Sequence, residues 1–129
     1  MAQRPSVLLI GLQPQLLDFL GPDYAAFPGL NAAKVQAALE ADAAALKQLG
    51  YDAELCLTDL GETAEAVVTQ RLSPQRFDCV LIGAGVRCIS TYFLLFEKLI
   101  NLVHSQAPQA KICFNTRPDD TAQAVQRWV

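Results

Sequence analysis

The chain lacks any long hydrophobic run: its nearest approach, residues 91–103, is interrupted by Glu97, Lys98 and Asn101. A membrane-spanning helix needs about 18 or more consecutive apolar residues, so no membrane partner is expected. There is no basic run, and 13 acidic residues outweigh 10 basic ones, which argues against a nucleic-acid surface. The four cysteines show no C-x-x-C and no paired spacing, so neither a zinc site nor a disulfide frame is expected, and no metal is assigned. There is one histidine, His104, near the end of a predicted helix on the side of the sheet away from the expected site. That removes the obvious general base, and with it any Ser-His or Cys-His catalytic pair. Low-complexity segments, linkers and internal repeats are also missing. The opening Met1-Ala2-Gln3-Arg4-Pro5 runs straight into an apolar segment and leaves no room for a signal peptide. The expected location is therefore cytoplasmic.

What is present is a regular alternation. Apolar runs at residues 7–12, 53–57, 79–83 and 112–114 each stop at a polar or glycine-bearing turn and give way to a helical pattern. Strand alternating with helix means a parallel sheet covered on both faces. With 129 residues and 52% apolar content, one domain spanning residues 1–129 can bury a true core. Three of the cysteines, Cys56, Cys79 and Cys113, fall in or beside these runs and read as small hydrophobes.

The helices follow from their ends. Asn31 is a good N-cap, Val35, Leu39, Leu46 and Leu49 share one face, and Gly50 supplies the stop. A second helix over residues 62–72 ends at Ser73-Pro74. The third, near residues 90–105, is apolar almost all round, whereas a surface helix shows a stripe of only about 100°. Excess apolar surface implies a partner, most simply a second copy of the chain held through Tyr92, Phe93 and Phe96. Pro118, with Asp119 and Asp120 behind it, opens the last helix. The long connection at residues 13–30 carries Pro14, Gly21, Pro22, Pro28 and Gly29 together with Phe19, Tyr24 and Phe27. Connections are usually about 2–6 residues, and longer ones are often functional, so this one reads as a lid beside the first strand.

Four such units predict a three-layer α/β/α sandwich with a four-stranded parallel sheet in the order 2-1-3-4. The alternation and length resemble the receiver domains of response regulators, over the first four strands and at the level of fold. A receiver has an acidic pair after its first strand and a phospho-accepting aspartate after its third. Here those places hold Gly11-Leu12-Gln13 and Gly83-Ala84-Gly85. The resemblance to flavodoxins is likewise one of fold, because Gly11-Leu12-Gln13-Pro14 is not their Ser/Thr-rich phosphate loop. Neither resemblance implies phosphorelay or a flavin, and no cofactor is expected. Gly83-x-Gly85-x-x-Cys88 lacks the third glycine of the dinucleotide fingerprint, there is no Walker lysine, and Cys113 to Arg117 is too short for a C-x5-R phosphatase loop.

In a sheet of this order, ligands collect at the carboxyl ends of the strands, at the switch point between strands one and three. Gly83 and Gly85 let backbone amides approach a ligand, Arg87 and Arg117 supply forks for phosphate or carboxylate, and Gln13 and Asn115 add neutral hydrogen bonds. Those six residues are the candidate site, and a small anionic metabolite is the candidate ligand of a binding or regulatory protein. A small hydrolase or transferase using Cys88 or Asp59 is the enzymatic alternative, though Asp59 also suits a helix cap. A homodimeric interaction module using the helix at 90–105 is the third.

Overall fold

The computed structural model describes residues 4–129. Strands β1 (Ser6–Leu12), β2 (Asp52–Thr58), β3 (Cys79–Ile82) and β4 (Lys111–Cys113) form one parallel sheet in the order β2-β1-β3-β4. The helices are α1 (Ala32–Gln48), α2 (Ala64–Leu72), α3 (Ala84–Arg87), α4 (Phe93–Gln106) and α5 (Thr121–Gln126). The order expected from the alternation is the order found.

Every residue of β1 is buried. It lies inside the sheet with both faces covered, so its sequence is a continuous apolar run without alternation. Successive side chains still point to opposite faces. Leu8, Ile10 and Leu12 join Val80 and Ile82 in one core, closed by Val68 and Leu72 of α2 and by Leu95, Leu99 and Val103 of α4. Val7 and Leu9 join Cys79 and Leu81 in the other, closed by Ala43 and Leu46 of α1 and by Ala124 and Val125 of α5.

The chemistry of the ends sets the helix boundaries. Asn31 accepts a hydrogen bond from the Lys34 amide at 2.9 Å and starts α1. Gly50 ends it with φ +99°. The Gly50 amide reaches the Lys47 carbonyl at 3.1 Å and the Tyr51 amide reaches Leu46 at 3.0 Å, which together close the helix in a Schellman turn. Asp59 holds the start of α2: its carboxylate accepts from the Gly61 amide at 3.0 Å and from the Thr63 amide and hydroxyl at 2.9 and 2.6 Å. These bonds draw the carboxyl below its ordinary range, the Thr63 hydroxyl contributing most.

The helix expected near residues 90–105 is found; α3 is a separate turn before it, and the helix opens as a 3-10 turn at Ser90–Tyr92 that runs into α4 at Phe93. Its apolar excess is also mostly consumed within the chain. Leu95, Leu99 and Val103 are buried, and Phe96, Ile100 and Leu102 pack partly buried on the core. Phe93 and Leu94 remain 55% and 67% exposed. Tyr92, one of the three expected dimer contacts, is mostly turned into the core and is 7% exposed.

On each side of the sheet an arginine takes one main-chain carbonyl. Arg71 donates to the Leu55 carbonyl of β2 at 2.9 Å, and Arg127 donates to the Phe114 carbonyl just after β4 at 3.1 Å. Filling outward carbonyls in this way discourages strand addition. Among the described residues no helix is long and apolar enough to cross a membrane.

Candidate functional site at the carboxyl edge of the sheet

β1 and β3 run side by side with Ile10 opposite Ile82, so the turns that follow them start together. The Gly83 amide donates to the Ile10 carbonyl at 2.9 Å. A β-carbon on Gly83 would come within 3.3 Å of that same oxygen, so glycine lets the chain leave β3 close against β1. Gly85 is different. A β-carbon there would meet nothing within 4 Å, so the space above it is open.

The expected loop at residues 83–87 is therefore a turn of helix, α3, held at both ends by Asn115. The Asn115 Oδ1 accepts from the Ala84 amide at 2.8 Å. Its main-chain carbonyl accepts from Nη2 of Arg87, the last residue of the turn. The Arg87 guanidinium also lies over the Phe114 ring, 5.6 Å from its centroid. Phe114 in turn meets Phe96 of α4 edge-on, with centroids 5.8 Å apart. Arg87 is thus half-buried against aromatic surface, and its buried Nε has no hydrogen-bond partner.

Asn115 is 5% exposed, and its side chain is spent inside the protein. Its Nδ2 donates to the Thr121 hydroxyl at 2.9 Å, and Thr121 donates to Asp42 of α1 at 2.8 Å. Burial pushes the Asp42 carboxyl up, against the hydrogen bond from Thr121, and the nearby Asp119 and Asp120 add to the rise. Asp120 goes the other way. Burial would raise it, but the Thr116 hydroxyl and the amides of Arg117 and Thr116 outweigh that and hold it low.

Of the six expected site residues, Gly83, Gly85, Arg87 and Asn115 come together. Arg117 is 67% exposed and pairs with Asp119, and Gln13 is exposed with its amide on the Thr58 carbonyl at 2.8 Å. Neither hydrogen-bonds to the cluster among the described residues. Asp42 and Thr121 did not figure in the expected site. The one signal for Asp42 was an acid breaking the alanine run at residues 41–45.

The lid is docked. Tyr24 is buried and packs against Phe19 at a tilt, with ring centroids 4.9 Å apart, while Asp23 accepts from the Thr91 hydroxyl at 2.7 Å. Burial and the neighbouring Tyr92 hydroxyl push the Tyr24 phenol up. A shallow bowl of about 520 Å³ opens within the lid itself, lined by Phe19, Leu20, Pro22, Tyr24 and Leu30 among others.

No family model matches the chain, and no curated protein matches it. Cys88 is exposed but caps the C-terminal end of α3, not the N-terminus of a helix, which removes the helix dipole as a source of thiol activation. His104 is exposed in the last turn of α4, where a cation suits the dipole. Among the described residues no group of three or more His, Cys, Asp or Glu side chains is placed to hold a metal.

Proposed function

We propose that this protein binds a small anion at the carboxyl edge of its sheet, with Arg87 as the principal contact. One observation carries the reading. Arg87 is a half-buried cation with no acid within ion-pair distance among the described residues, and its Nε is buried without a partner. A buried charge without a counter-charge is costly, and proteins rarely leave such a group unmatched unless something else supplies the match. An anionic ligand supplies it. The open space above Gly85 gives access, and Arg117 and Gln13 flank the same edge with exposed side chains. Arg117 joins by exchanging Asp119 for the ligand, at little cost because the pair is exposed.

The test is titration with inorganic phosphate and small carboxylates, followed by NMR of the arginine side chains. Phosphate is expected to shift the Arg87 Nε–H signal, and an Arg87→Ala, Arg117→Ala variant is expected to lose the binding. Binding unchanged in that variant, or a silent Arg87 signal across the panel, overturns the reading.

In the enzymatic alternative the Asp59 carboxylate would have to act while capping α2. A second reading, self-association, is favoured by exposed Phe93 and Leu94 at the start of α4. Phe93→Asp should then dissociate a dimer seen by sedimentation, and a wild-type protein that stays monomeric at micromolar concentration refutes it.

A further inference from the structure

We propose that residues 18–29, the outer part of the lid, are a detachable flap: it is latched by Asp23 and Tyr24 to the 3-10 turn before α4, and it swings out while the rest of the protein stays folded. This holds whether or not the anion reading above does.

Hydrogen bonding divides the flap from the body. The last main-chain bond from this connection to the sheet is that of the Gln13 amide to the Thr58 carbonyl, at 2.8 Å. Beyond it, among the described residues, every bond between main-chain groups of residues 18–29 closes a local turn, from the Gly21 amide on Asp18 to the Leu30 amide on Phe27. None runs to the sheet, α3 or α4, so the flap can leave without breaking a ladder. On its far side Asn31 caps α1 through the Lys34 amide and needs nothing from the flap. Gly29, just before, has φ +84°, a left-handed conformation that glycine enters and leaves without strain, so the chain can pivot there. The Lys34 ammonium holds the Gly29 carbonyl at 2.9 Å and keeps that pivot on α1.

What holds the flap down is small and local. The Thr91 hydroxyl donates to Asp23 at 2.7 Å, and the next residue, Tyr24, is 6% exposed and lies beside Tyr92. Phe19 packs against Tyr24. The remaining large side chains gain little from docking: Leu20 is 100% exposed and Phe27 50%, and the flap bends around an open bowl of about 520 Å³. One exposed hydrogen bond and one well-buried aromatic are few contacts beside those of the core strands, and segments held so lightly open before the whole molecule unfolds. The 3-10 turn at Pro22–Tyr24 cannot outlast undocking, because three residues carry the cost of nucleation without propagation. Opening therefore frees the Ala25 and Phe27 amides together, and it bares the side of Tyr92 that now faces Tyr24. Tyr92 directly precedes the exposed Phe93 and Leu94, so an open flap enlarges the apolar surface at the start of α4.

The experiment is amide hydrogen exchange of Ala25 and Phe27, with Leu99 of α4 as the core reference, over a series of low urea concentrations. It compares the full-length wild type with Thr91→Val and Tyr24→Ala. In the wild type Ala25 and Phe27 are expected to be protected, yet to exchange faster than Leu99 and with a much shallower urea dependence, because the opening exposes little surface. Thr91→Val is expected to speed both about five- to tenfold with the slope still shallow, the effect of losing one hydrogen bond from the docked state. Tyr24→Ala is expected to abolish their protection while Leu99 stays protected and keeps its steep slope. Ala25 and Phe27 sharing the rate and slope of Leu99 in the wild type would make the flap part of the global unit and overturn the proposal. No protection of these amides in the wild type, or no response to Thr91→Val, overturns the latch. Loss of Leu99 protection in Tyr24→Ala overturns it too, since Tyr24 would then hold up the core and not the flap alone.

Discussion

Replacing Asn115 by alanine tests the architecture of the site most directly. The substitution removes the acceptor of the Ala84 amide at 2.8 Å and the donor to the Thr121 hydroxyl at 2.9 Å. A net intramolecular hydrogen bond is worth about 1 kcal/mol, and a buried group left without a partner costs about 1–3 kcal/mol. The Ala84 amide is the group left alone, since Thr121 keeps Asp42. The main-chain bond to Arg87 survives. The sum is a loss of about 2–4 kcal/mol against a total stability of about 5–15 kcal/mol for a domain of this kind. Urea denaturation followed by circular dichroism should show the midpoint moving down at constant slope. Heating should show a drop of about 6–16 °C. Asn115→Asp should not rescue the loss at neutral pH. It restores an oxygen for Ala84, but the second oxygen then faces a hydroxyl whose proton Asp42 already holds. A change below about 0.5 kcal/mol for Asn115→Ala, the scale of an ordinary surface substitution, would refute the role assigned to this side chain.

Gly50→Ala should cost about 1–2 kcal/mol in urea unfolding, because φ is +99° there while no neighbouring atom obstructs a methyl; a neutral result would contradict the Schellman turn. In the folded protein a thiol reagent should titrate Cys88 quickly and reach Cys56, Cys79 and Cys113 only on unfolding, since the first is exposed and the others are buried. The buried thiols of Cys79 and Cys113 touch at 3.4 Å, but Cys79 is in register with Lys111 and Cys113 with Leu81, so rapid reaction of a second cysteine would overturn the packing of β3 on β4. The pH dependence has two opposed parts. Asp120 is held low in the fold, so the stability it adds is present above about pH 4 and is lost as pH falls through its folded value. Asp42 is held high, so its ionisation opposes folding, and that cost enters as pH rises from about 4 through its folded value. The stability difference between Asp42→Asn and wild type should therefore move in favour of the variant from about pH 3 to about pH 6, and a flat difference would show that the carboxyl is not desolvated.

The sequence by itself determined the architecture. Interior parallel strands have to be apolar throughout, and the caps at Asn31 and Gly50 act within a few residues of chain, so the four strands, their order and the first helix's limits could be read locally, while the short turn α3 could not. It also singled out the carboxyl edge and Arg87. Only the tertiary structure decided how the side chains at that edge are arranged. Asn115 looked like a ligand contact because an exposed turn amide and a buried one have the same sequence signature. It became a bracket for α3 because folding sets Ala84, Thr121 and Asp42 around it, from three separate elements. The apolar helix at residues 90–105 looked unpartnered for a similar reason. Apart from Phe93 and Leu94, its apolar surface packs on the core and on Phe114, segments whose proximity local pattern does not encode. Periodicity reports what a segment must bury; which neighbour buries it, and which donor meets which acceptor, depends on contacts between residues far apart in the chain.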